Sequence, residues 1–107
     1  MSTETAVVLY RAADLLEEYG WCQHTARDVL DGRICAVTAV LVAANERGTS
    51  PKDAVVAVLH HLSVPRLPGR YRLHGAREAG ALTVWNDAPG RSRREVTDAL
   101  RGAALSS

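Results

Sequence analysis

The sequence predicts a mainly α fold: a compact bundle of four to five helices around a buried apolar helix at 34–46. Three observations predict it. Apolar residues recur at three- and four-residue spacing in several long segments. Hydrophobic residues make up 47% of the 107-residue chain, enough for one core in a single domain, 1–107. Phe is absent and aromatics are only 5%, so the core has to be built from Ala, Val and Leu. Ala-rich sequence favours helices that pack closely.

The elements follow in order. In 3–19, Val8, Leu9, Ala12, Leu15, Leu16 and Tyr19 share one helical face, and Arg11, Asp14, Glu17 and Glu18 fall largely on others. Ser2 or Thr3 caps this helix and Gly20 stops it. Segment 23–30 predicts a short helix closed by the turn Asp31-Gly32-Arg33. Segment 34–46 is apolar on nearly every side, which fits a buried strand or a helix; its length and Ala content favour a central helix ended by Gly48.

Segment 51–62 has the start signals Ser50, Pro51 and Asp53, and a buried stripe of Ala54, Val55, Val58, Leu59 and Leu62. Residues 64–80 read as a long loop, punctuated by Pro65, Pro68, Gly69, Gly75 and Gly80. Segment 81–85 reads as a short extended approach. Tyr71-Arg72-Leu73 and Leu82-Thr83-Val84 carry the signals of a short β-hairpin within 71–85. In 93–105, Ser92 and Glu95 form a capping box. Val96, Ala99, Leu100, Ala103 and Ala104 make the stripe of that last helix, and Gly102 weakens it.

The formal net charge is +1, which gives no global electrostatic instruction. Residues 1–63 sum to −3 and residues 64–107 to +4. The C-terminal half therefore offers a positive surface made of Arg66, Arg70, Arg72, Arg77, Arg91, Arg93, Arg94 and Arg101, with Tyr71 among them. That pattern suits phosphate contact, but near-neutral total charge disfavours a dedicated nucleic-acid binder. The start Met1-Ser2-Thr3-Glu4 lacks the basic region of a signal peptide, so a cytoplasmic location with reduced thiols is expected. The longest apolar run, 39–44, is far short of a membrane span.

Two stretches carry candidate site residues. The first holds Trp21, Cys22 and His24, just after the first helix ends at Gly20. A thiol beside an imidazole has the ingredients of a nucleophile, and the bland alternative for Cys22 is packing. The second holds Trp85, Asn86, Asp87 and Arg91 around a Pro89-Gly90 turn. Asn and Asp bond nearby backbone groups in such turns or point at a ligand. Cys35 reads as a small core residue. His60 and His61 diverge on a helix, and neither they nor Cys22, His24, Cys35 and His74 have metal-ligand spacing, so no metal is expected. No phosphate loop or dinucleotide fingerprint is present, so no cofactor is expected.

These stretches resemble a family of small bacterial proteins of unknown function. The resemblance rests on Gly20 to Gln23, Gly32-Arg33, Cys35, Trp85 to Asp87, Gly90 to Ser92, and Glu95-Val96. It covers most of the chain except 64–80. Relatives usually carry Gly-Ala after the Cys, where this chain has Thr38-Ala39. The resemblance implies no activity. Two functional expectations follow from the residues. One is a non-catalytic accessory protein that binds a small molecule or protein near Trp21, Trp85, Asn86 and Asp87. The other is a small cofactor-independent enzyme using Asp87 with Cys22 or His24. A small Ala/Val core also gains from burial in a homodimer.

Overall fold

A computed structural model describes residues 3–64 and 76–106, with backbone only for Ala76 and Arg77. Those residues form five helices: α1 (Thr3–Tyr19), α2 (Ala36–Glu46), α3 (Lys52–Leu62), α4 (Ala76–Asn86) and α5 (Arg93–Leu105). The mainly α bundle expected from periodicity is what forms.

Helix α1 buries Val8, Leu9, Ala12, Ala13, Leu15 and Leu16, at the spacing the sequence shows. Gly20, at φ +88°, stops it, and its N–H donates to Leu16 O at 2.9 Å. The helix packs chiefly on α5 and α2. Surface ion pairs follow the same two seams. Glu4 meets Arg47 and Arg11 meets Glu46 toward α2, while Arg101 on α5 reaches Asp14 and Glu17. Exposed pairs of this kind each contribute about 0–1 kcal/mol.

Helix α2 starts at Ala36, two residues later than the apolar run suggests. Ile34 and Cys35 are spent on backbone pairing instead. Ile34 N donates to Gly20 O, Cys22 N to Ile34 O, and Cys35 N to Ala26 O. The helix buries Ala36, Ala39, Val40, Ala43 and Ala44, but Leu41 is 46% exposed. The apolar helix is thus buried on one side and open on the other.

Segment 23–30 is not a short helix. His24 has φ +67°, a left-handed backbone, and local side-chain bonds hold the rest in bends. Thr25 Oγ1 donates to Arg27 O, and Asp28 Oδ1 accepts from Leu30 N. Thr and Asp offer the backbone this alternative to a helix. The segment runs into the turn at Gly32 and touches Ile34 through an antiparallel bridge at Arg27.

Residues 81–85 are not an extended approach, and 76–80 are not loop; both belong to α4. The hairpin expected at 71–85 is therefore replaced by helix over 76–85, and 71–75 lie outside the described residues. Burial decides the matter. Ala81, Leu82 and Asn86 are 2%, 0% and 0% exposed, whereas Thr83 and Val84 face outward. Helical geometry puts the first three on the bundle, and modest β propensity does not outweigh that. Trp85 and Asn86 are thus the last residues of a helix rather than of a loop.

Helix α5 has the expected capping box: Ser92 Oγ accepts from Glu95 N and Glu95 Oε1 from Ser92 N. Gly102 has a packing reason. A Cβ there would lie 2.6 Å from His61 Nε2, so the glycine lets α3 and α5 approach.

Candidate functional site

The two stretches singled out in the sequence meet, and the side chain of Asn86 is the junction. Asn86 is fully buried. Its Oδ1 accepts from Trp21 Nε1 at 2.7 Å and from Ala36 N at 3.0 Å. Its Nδ2 donates to Cys22 O at 3.1 Å and to Asp87 Oδ1 at 2.9 Å. An amide side chain has two acceptor sites and two donors, so all four are used. One of them is the first N–H of α2, which Cys35 at the N-cap does not satisfy.

Neighbouring bonds tighten the junction. Gln23 Nε2 donates to Asn86 O at 3.0 Å and Ala88 O at 2.9 Å. Asp87 Oδ1 also accepts from His24 N at 2.9 Å. Arg91 Nε donates to Trp85 O, its guanidinium lies 4.1 Å over the Trp85 ring, and it pairs with Glu95. The structure therefore brings Trp21, Cys22, His24, Trp85, Asn86, Asp87 and Arg91 into one contiguous assembly.

Their chemical situations differ. Cys22 is 6% exposed, and its thiol faces the carbonyls of Thr25 and Arg33 at 3.4 Å. Burial, and then the neighbouring Cys35 thiol, push it above its ordinary 9.0. A thiol in that state is a poor nucleophile. His24 Nδ1 and Asp87 Oδ2 are 3.9 Å apart, too far for a hydrogen bond.

Beside the junction lies an open cleft of about 300 Å³. His24, Thr25 and Ala26 form one wall, Cys35, Val37, Thr38 and Leu41 of the α2 end another, and Thr83 and Asp87 the third. Sequence reasoning missed Cys35, Val37, Thr38, Leu41, Thr25, Ala26 and Thr83 as lining. The apolar run that holds the first four reads as core, and it shares the cleft with His24, Thr25 and Ala26. Trp21, Trp85, Asn86 and Arg91 are outside the lining; they hold the walls. Among the described residues, no three His, Cys, Asp or Glu side chains gather as metal ligands. Among the same residues, no helix is long and apolar enough to cross a membrane.

No curated protein matches the chain. No solved structure matches it either. A family profile matches residues 1–105, nearly the whole sequence, and so includes both stretches that build the junction. The chain belongs to DUF6197, a family of unknown function.

Proposed function

We propose that this protein is a non-catalytic binding protein that takes a small molecule in the cleft between His24, Thr38 and Asp87. One observation carries the reading: the buried Asn86 junction fixes two distant segments so that His24 and Asp87 stand at a preformed cleft. A volume of about 300 Å³ is at the small end of ligand pockets, which are commonly apolar with a few placed polar groups. Here Ala26, Val37 and Leu41 supply apolar wall, and Asp87 and Thr38 supply polar points. A ligand with a short apolar body and a cationic or hydroxyl donor matches that lining.

The enzyme reading has less support. Cys22 is directed at backbone carbonyls, and an acid–base role for Asp87 with His24 requires their 3.9 Å separation to shorten. Nucleic-acid contact through Arg residues has less still. Arg91 and Arg101 are engaged with carboxylates on this chain. Arg66, Arg70 and Arg72, and the side chain of Arg77, lie outside the described residues.

Protein-observed NMR with small amines and amino alcohols tests the proposal. Shifts that saturate together at His24, Thr38, Leu41 and Thr83 support it. Binding that moves other residues and leaves these four still would overturn it, as would no saturable binding in the millimolar range.

A further inference from the structure

Cys22 and Cys35 are both free thiols, 6% and 5% exposed. Backbone pairing sets them side by side. Trp21 and Ile34 form a parallel bridge, in which Ile34 N donates to Gly20 O and Cys22 N to Ile34 O, both at 3.0 Å. Cys22 and Cys35 are the next residues along the two paired segments. Residues at equal offsets in a parallel pair send their side chains to the same side. Paired backbones run about 4.8 Å apart, within the Cα separation of about 4.4–6.8 Å that a disulfide spans. Cys35 still has extended backbone, φ −89° and ψ 172°, so it leaves the bridge in line before α2 begins.

The present partners of the thiols are weak. Cys35 Sγ lies 3.4 Å from Thr38 Oγ1, and Cys22 Sγ lies 3.4 Å from two carbonyl oxygens. Access is one-sided: Cys35 lines the open cleft and Cys22 does not. We propose that Cys22 and Cys35 form a reversible disulfide, with Cys35 as the residue that a peroxide entering the cleft attacks first.

The chemistry balances with a peroxide as oxidant. Cys35 gives up its proton, its thiolate takes one oxygen from hydrogen peroxide as the O–O bond breaks, and the hydroxide that leaves takes that proton, giving a sulfenic acid and one water. Cys22, a poor nucleophile while it keeps its proton, attacks Cys35 sulfur as the departing hydroxide takes that proton; the S–S bond forms, the S–O bond breaks, and a second water leaves. Two thiols are oxidised by two electrons and one peroxide is reduced to two waters. The bond would close residues 22–35 into a loop and draw Cys35 Sγ off the cleft wall. The bond follows from the backbone register of the two segments and needs no ligand in the cleft.

Hydrogen peroxide treatment of the whole protein tests it, read by thiol counting under denaturing conditions and by intact mass. The expected result is loss of both thiols together with a mass decrease of about 2 Da, reversed by dithiothreitol. Cys22→Ser should trap Cys35 as a sulfenic acid that dimedone labels. Cys35→Ser should keep its Cys22 thiol far longer than the wild type does. Retention of both thiols overturns the proposal. So does oxygen addition without a crosslink, or a disulfide between two chains. Equal oxidation rates for the two variants would overturn the assigned order of attack.

Discussion

The indole N–H of Trp21 donates to Asn86 Oδ1 at 2.7 Å, across 65 residues of sequence. That bond joins the chain just past α1 to the last residue of α4. The same oxygen holds the first N–H of α2, so one buried atom fixes three elements.

Replacing Asn86 should therefore be costly. Asn86→Ala leaves the Trp21 indole, the Ala36 N–H and the Cys22 carbonyl short of partners in a buried place. Unsatisfied buried groups of this kind cost about 1–3 kcal/mol each, with partial relief by water. The expected loss is about 3–5 kcal/mol in urea unfolding. Asn86→Asp keeps the size but turns two donors into an acceptor beside Asp87 and Cys22 O, so it should destabilise at least as much.

Trp21→Phe removes the N–H and part of the ring that packs on the core, and leaves Asn86 Oδ1 its second bond, to Ala36. Its cost should be about 2–3 kcal/mol. In a double-mutant cycle with Asn86→Ala the two effects should be strongly non-additive, because both remove the same bond. Additive unfolding free energies would show that the two side chains are not coupled.

Gly20 and Gly32 separate two reasons for a glycine. Both have positive φ, +88° and +76°. A Cβ at Gly32 meets nothing within 4 Å, whereas at Gly20 it would lie 2.8 Å from Arg33 Cγ. Gly32→Ala should cost about 1 kcal/mol from backbone strain alone. Gly20→Ala should cost more, because Arg33 must also move and its fork to Asp28 and Asp31 is disturbed. Thermal melts of the two variants give the order.

Stability should fall in acid. Hydrogen bonds from Arg47, Arg11 and Arg91 hold Glu4, Glu46 and Glu95 below their ordinary 4.5. The Leu30 N–H and then Arg33 do the same for Asp28 below 3.8. Lowered folded values give stability that is present above the ordinary value and lost as pH falls through the folded one. Urea midpoints should therefore hold from neutrality to about pH 5 and decline below it. In alkali the sign reverses for Cys22. Its raised value favours the fold below 9.0 and works against it as pH rises further, an effect that Cys22→Ser should remove.

Much of the fold was legible because it is local. Helices α1 and α5 follow from their apolar spacing and from Gly20 and the Ser92–Glu95 box, all visible within one segment. Segment 23–30 misled because the bonds of Thr25 and Asp28 to their own backbone leave no periodic trace. Helix α4 misled because Gly80 and the β-branched Thr83 and Val84 weaken its signal, while the burial of Leu82 and Asn86 depends on other elements. The site residues were legible by type, since Trp, Cys, His, Asn and Asp stand out. Their arrangement was not, because the bonds of Asn86 to Trp21, Cys22 and Ala36 span 50 residues or more. The cleft lining was hidden for a related reason: Thr38 and Leu41 sit in a run that reads as core.

Hydrogen exchange at the Asn86 side-chain amide tests the junction most directly. The chain has two asparagines, and Asn45 is exposed, so it serves as the internal reference. After transfer to D2O, the Asn86 Nδ2 protons should persist long after those of Asn45 have vanished, since both donate to buried or half-buried acceptors. Exchange of the two side chains at the same rate would contradict the junction, and with it the positioning of His24 and Asp87 at the cleft.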